Sequence, residues 1–298
     1  MHNLTPAASL PVPDPPEHWE MPCAEAESRG FYRGIYEIFP RAPRREEDVP
    51  AMARAALGEC CRVTSFRQFF LVPGAVRSTG VAEQKVISPD SVLALGTSAV
   101  ALWTATPDPG VKVLIPLSRL AAVEDATVLL YSRLRLVSFE ETLTVRYNTL
   151  ARPGLRPALL DLRERLCGAP QPLPLEEPAA AHLPLKWRRL LRWPVARFRD
   201  DTPVAYRFTV EPPTDDEDTH RSQLLVLSPY ELVYLRDPRE VSHTYGEDLF
   251  TVPRHRISRV KVRDRYLEVV SNSARLCLDM APTLRQVAAE WLASSASP

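Results

Sequence analysis

The feature that most constrains the fold is a hairpin written twice. "VLALGTSAVALW", residues 92 to 103, is two short apolar runs around a polar turn, and "LLVLSPYELVYL", residues 224 to 235, has the same shape. In register, Leu93 falls on Leu225, Leu95 on Leu227, Val100 on Leu232 and Trp103 on Leu235. Short apolar runs bounded by turn residues read as antiparallel strands. A second match follows each hairpin. "VLIPLSRLAAVE" (113–124) aligns with "LFTVPRHRISRVK" (249–261), placing Pro116 on Pro253, Arg119 on Arg256 and Leu120 on Ile257. The loop before it is longer in the second copy, as insertions in loops are tolerated.

Each half continues with two more strands, "SRLRLVSFE" and "TLTVRYN" in the first and "RYLEVVSN" and "ARLCLDM" in the second. Each closes on an amphipathic helix. Leu155, Leu159, Leu162 and Leu166 form one apolar stripe before Gly168. Leu284, Val287, Ala288, Trp291 and Leu292 form the other, with Thr283 at its start. A rival register that pairs "VISP" (86–89) with "VLSP" (226–229) leaves the strand at 99–103 opposite a loop, so the first register is preferred. Residues 1–50 are proline-rich and expected to be partly irregular, with one helix in "EEDVPAMARAALGECC". The proline-rich stretch 169–185 reads as a linker or a surface strap. The expected organisation is therefore 51–168, a linker at 169–185, and 186–298.

These patterns, carried by "LLVLSPYELVYL", "YGEDLFTVPRHRI" and "PTLRQVAAEWL" and by "VLALGTSAVALW", "VLIPLSRL" and "PGLRPALLDLRERL", resemble the bacterial pleckstrin-homology-like group, in two tandem copies. The resemblance implies a mainly β fold with some helix: two tandem PH-like antiparallel β-barrels or sandwiches, each closed by its C-terminal amphipathic helix. It also implies recognition of membrane lipids or protein segments. Phosphate-binding members of the group carry a basic loop between the first two strands. The matching loop here, "EPPTDDEDTHRSQ", is acidic at Asp215, Asp216, Glu217 and Asp218.

Charge narrows the partners. Basic and acidic side chains balance at 37 each, so no global field draws the chain to nucleic acid, and nucleic acid is not an expected partner. Local patches remain. In "PRHRISRVKVRDR", Arg254 and Arg256 precede a strand on which Val260 and Val262 share one face and Arg259, Lys261, Arg263 and Arg265 the other. That ladder suits anionic phosphates or an acidic protein segment, or is simply a wet sheet face. In "LPLKWRRLLRWPVARFR", Lys186, Arg188, Arg189 and Arg192 alternate with Trp187 and Trp193, the mixture an interfacial membrane helix needs. The same pattern also fits a helix packed on the second half, with arginine stems covering apolar surface.

Signatures of catalysis are thin. The histidines are scattered, the ten glycines form no phosphate cradle, and the acidic run 215–218 lacks calcium-loop spacing. No cofactor, metal or catalytic residue is expected. "SHTYGED" (242–248) reads as a loop in which Gly246 supplies the turn. Five cysteines in no ligand spacing fit a reducing cytoplasm, and no signal peptide or membrane-spanning stretch is read. The expectation is a cytoplasmic adaptor or scaffold that binds a protein partner. An anionic membrane surface is the alternative partner, and an enzyme with a spatially assembled site is a third. The partner's identity and the oligomeric state are not set by these residues.

Overall fold

The structure, a computed structural model, describes residues 21–22, 48–60, 64–78, 84–105, 111–128, 131–149, 152–173, 183–195, 204–211, 221–238 and 246–294. It is mainly β. A short strand β1 (Met21–Pro22) and helix α1 (Ala51–Glu59) precede β2 (Phe66–Val72), β3 (Ala75–Ser78), β4 (Gln84–Ser88), β5 (Ser91–Gly96), β6 (Ala99–Thr104) and β7 (Val111–Pro116). A 3-10 turn (Leu117–Arg119) leads to β8 (Leu120–Val128), β9 (Tyr131–Ser138), β10 (Thr142–Asn148) and α2 (Arg152–Leu166). The second half runs α3 (Leu185–Val195), β11 (Ala205–Glu211), β12 (Arg221–Leu227), β13 (Glu231–Arg236) and β14 (Gly246–Pro253). A second 3-10 turn (Arg254–Arg256) then leads to β15 (Ile257–Val262), β16 (Leu267–Ser271), β17 (Ala274–Leu278) and α4 (Pro282–Ser294).

The two hairpins pair alike. Leu93 lies opposite Leu102 and Leu95 opposite Val100, as Leu225 lies opposite Tyr234 and Leu227 opposite Leu232. Ala99 faces Pro116 and Glu231 faces Pro253. The "VISP" segment ends β4, in a separate small sheet ordered β1-β4-β3, whereas "VLSP" ends β12 and enters the hairpin turn. A bulge interrupts β8 between Leu120 and Ala122, and another interrupts β15 between Ile257 and Arg259, both one step beyond the 3-10 turn. The β16–β17 hairpin turns through Asn272 and Ser273, both at positive φ (49° and 66°), as a two-residue reversal requires.

Why the hairpin strands are apolar almost throughout, instead of alternating, is clear from what covers them. Leu93, Leu95, Val100 and Leu102 face a core closed by β8–β10 and by the Leu155, Leu159, Leu162 and Leu166 stripe of α2. Val92, Ala94, Ala101 and Trp103 face the other way, onto Ala53, Ala56 and Leu57 of α1. The second half repeats this. Leu225, Leu227, Leu232 and Tyr234 pack with β16, β17 and α4, and Leu224, Val226, Val233 and Leu235 pack under Trp187 of α3. A sheet buried on both faces needs apolar residues at every position.

The sheets are open, not the barrels expected from the sequence. β2-β5-β6-β7 is one sheet and β15-β16-β17 another, while β10-β9-β8-β14-β13-β12-β11 forms a single seven-stranded sheet crossing both halves. The chain leaves β7 at Pro116 and turns through Leu117–Arg119, so β8 does not extend the β7 ladder. The outer edge of β8 is taken instead by β14, from Thr251 opposite Val123 to Gly246 opposite Val128. Gly246 has φ of 121°, and a Cβ there would lie 2.0 Å from the Thr127 carbonyl oxygen, so this end of the joint requires glycine. Among the described residues, no helix is long and apolar enough to cross a membrane.

Candidate functional site

Several basic residues read from the sequence as binding surface are used to hold the fold. Trp187 is 2% exposed, tilted against Phe208 at 6.0 Å between ring centroids, with Leu224, Val226 and Val233 beneath it. It is not an interfacial ring. Lys186 lies over that ring, and its Nζ donates to Asp237 Oδ1 and to the Gly246 carbonyl, each at 2.6 Å. Arg188 and Arg189 project from α3 into solvent, so only part of the expected basic face is presented. Arg192 lies on the same helix, but its side chain is outside the described residues, as are 196–200.

Arg254 is buried, and its guanidinium donates to the carbonyls of Ser228 (2.9 Å), Pro172 (2.9 Å) and Gln171 (3.3 Å). Burial pushes its pKa down to about 10. With the Gln171 amide donating to the Pro229 carbonyl at 2.9 Å, this fixes 168–173 as a strap across the second half. Of the rest of the expected linker, 174–182 lies outside the described residues and α3 already begins at Leu185. Arg256 donates to the carbonyls of Leu117 (2.7 Å) and Leu120 (2.5 Å), and burial lowers its pKa. Asn272 donates its side-chain amide to the carbonyls of Ser118 and Leu120, and Ser271 Oγ donates to the Ala121 carbonyl at 2.9 Å. A bidentate ion pair reinforces the seam: Arg163 of α2 reaches Glu231 of β13 at 3.2 and 2.7 Å, with side chains 4% and 1% exposed. None of these partners follows from local spacing.

The basic ladder is shorter than its sequence pattern. β15 ends at Val262, so Arg259 and Lys261 share a strand face while Arg263 and Arg265 fall in the turn. Glu268, buried opposite Lys261, accepts from Arg263 at 3.2 Å and lies 3.6 Å from Arg259. The alternation in "YLEVVS" marks Glu268 as an outer-face residue, the one local signal that could have revealed it. Val260 turns into the core, whereas Val262 is 41% exposed.

The sequence leads one to expect an open strand edge in each half that could accept a peptide by β-addition, and main-chain pairing decides which strand carries it. Backbone groups of an antiparallel strand point alternately to its two neighbours. The Arg263 amide donates to the Tyr266 carbonyl at 3.0 Å, and Val262 lies opposite Leu267. Val262 and Val260 therefore turn their N–H and C=O groups away from β16. Among the described residues, β15 pairs with β16 alone. In the first half the corresponding strand is filled: Thr251, Leu249 and Glu247 of β14 meet Val123, Asp125 and Thr127 of β8. That joint is polar. Glu124 accepts from Arg133 (3.0 Å) and Arg135 (2.9 Å), Tyr147 donates to Asp125 (2.6 Å), and Arg236 donates to Asp248 (3.0 Å). Burial raises the pKa of Asp248; burial also acts to lower that of Arg236, but Asp248, Tyr234 and Asp279 together hold the guanidinium above its usual value. Asp248 and Gly246 thus belong to a strand and its joint, not to the loop read in "SHTYGED". His243 and Tyr245, like the acidic run 215–218, lie outside the described residues.

No family model matches the chain, and neither a curated protein nor a solved structure does.

Proposed function

We propose that this chain is a non-enzymatic adaptor of two tandem pleckstrin-homology-like units, 51–168 and 186–298, that binds an extended segment of a protein partner along β15. The observation that carries the reading is the contrast between equivalent edges. β8 holds a six-pair antiparallel ladder with β14, while β15, which follows the same 3-10 turn, has no strand on its outward side among the described residues. Strand addition draws its affinity from main-chain hydrogen bonds and its selectivity from alternate side chains. Here the alternate side chains are Arg259 and Lys261, so acids at every second position of a partner segment add ion pairs to the main-chain bonds that any extended segment can make. Of the two rings that a membrane helix would use, Trp187 is packed between α3 and the sheet, which favours the protein partner over the lipid surface.

The test is fluorescence anisotropy with a labelled peptide of alternating valine and glutamate, beside one of alternating valine and lysine. The acidic peptide binds, the binding weakens as salt rises, and Val262→Pro abolishes it. Equal binding by Val262→Pro would overturn the edge reading. Absence of peptide binding together with salt-sensitive pelleting on anionic vesicles would replace it with peripheral membrane attachment.

A further inference from the structure

We propose that a second copy of this chain fills the β15 edge by presenting its own β7, so that copies join head to tail through a repeat of the joint already made inside each chain. The inference rests on the reading of β15 as a strand-accepting edge and names its occupant.

The internal joint unites the edge strand of one four-stranded unit, β14, with the first strand of the other half's three-stranded unit, β8. Each partner has a counterpart. β7 stands where β14 does: both end in proline, at Pro116 and Pro253, and both lead into a 3-10 turn. β15 stands where β8 does, with the bulge in the same place. Among the described residues, β7 pairs only with β6 and β15 only with β16. Among the described residues, the operation that places one half beside the other therefore leaves one donor edge, β7, and one acceptor edge, β15, without a strand partner.

The counterpart register is explicit. Thr251 faces Val123 and Phe250 faces Glu124 in the internal joint. Carried over through Pro116 and through the bulge of β15, Leu114 faces Val260 and Val113 faces Lys261, and the register carries no further because β7 is itself irregular at Lys112 where β14 is not. The backbone directions agree. The Leu117 amide donates to the Ser98 carbonyl on the β6 side at 2.7 Å, so by alternation Leu114 turns its main-chain groups outward, as Val260 does. Pro116, at an outward position, has no donor to leave unpaired, the place where an edge strand accepts proline. Because β15 stops at Val262 while β8 runs to Val128, the intermolecular ladder is shorter than the internal one. Association is accordingly weaker than the internal joint and depends on concentration. A joint between unlike edges does not close on itself at two copies, so growth continues.

The experiment is sedimentation velocity of the full chain over a wide concentration range. The wild type rises from its 33.5 kDa monomer to at least twice that average mass. Val262→Pro removes an outward N–H that makes no ladder bond among the described residues, and Leu114→Pro does the same on β7. Each variant alone stays monomeric, because each has lost one of the two unlike edges. Mixed in equal amounts they form a dimer and stop there, since one intact β7 meets one intact β15. A wild type that remains monomeric throughout, or a Val262→Pro variant that associates like the wild type, overturns the proposal. Should Leu114→Pro lose its circular dichroism signal, a photo-crosslinking side chain at the exposed Lys261 decides the matter. Cross-links into 112–114 of another copy support the joint, and cross-links to any other segment refute it. A chain that stays monomeric yet binds the acidic peptide sinks self-pairing alone and leaves the edge reading standing.

Discussion

The seam between the halves makes a quantitative claim through Arg163 and Glu231. Their two hydrogen bonds, at 3.2 and 2.7 Å, lie where the side chains are 4% and 1% exposed. In such a site the desolvation of each charge is offset by its partner, so removing one charge strands the other. Arg163→Met or Glu231→Leu should each cost about 3–5 kcal/mol. The double variant buries neither charge and replaces the pair with apolar bulk, so it should cost less than either single change, giving a coupling of at least about 3 kcal/mol. Urea unfolding followed by both circular dichroism and tryptophan fluorescence reads these values. Because the seven-stranded sheet crosses both halves, the two probes should report one shared transition in the wild type. Single variants costing under about 1 kcal/mol, or a double variant as costly as the sum, would refute the argument that this pair is a desolvated lock. Two separated transitions in the wild type would refute the shared sheet as the cooperative unit.

Two further outcomes separate structural residues from presented ones. Trp187→Ala should cost about 3–5 kcal/mol in the same unfolding assay, because the ring is buried under α3. Replacing exposed Arg259 and Lys261 together by glutamine should stay within about 0.5 kcal/mol while weakening the acidic peptide. The reverse ranking would return Trp187 to the surface. His255 carries a pH signature: burial, with the Arg256 charge second, holds its pKa below the usual 6.5. The folded state then binds fewer protons than the unfolded chain, so stability is present above about pH 6.5 and is lost as pH falls towards the folded value. The melting temperature of His255→Gln, relative to wild type, should therefore be higher at pH 5 than at pH 7.5. An unchanged difference would count against it.

Local pattern carried much of the fold. The paired hairpins, the strands after them and both closing helices were legible because apolar periodicity and turn residues are short-range signals. The helical stripes at Leu155–Leu166 and Leu284–Leu292 are the helix faces that close the two cores. What escaped is non-local. Nothing near Arg256 in the chain announces that it will serve the carbonyls of Leu117 and Leu120, and nothing in β8 specifies that its ladder partner is β14 and not β7. The α3 segment, with Lys186, Arg188, Arg189 and Arg192 among its apolar residues, fits both a basic, aromatic surface and a packed helix, and local spacing does not choose between them. Packing decides it: Trp187 is buried on β12 and β13 while Lys186 reaches back to Asp237 and Gly246. Barrel closure failed as an expectation for the same reason: strand count and alternation say which face is buried, not which edges meet.

The most direct measurement is hydrogen exchange at the outward amides of β15. In dilute protein, Val260 and Val262 should exchange rapidly, while their filled counterparts Val123 and Asp125 should exchange only through larger opening of the sheet. Adding the acidic peptide should slow Val260 and Val262 and leave Val123 and Asp125 unchanged. If the Val260 and Val262 amides are already as protected in dilute, peptide-free protein as those of Val123 and Asp125, the edge is covered and the account of β15 as a strand-accepting site is wrong.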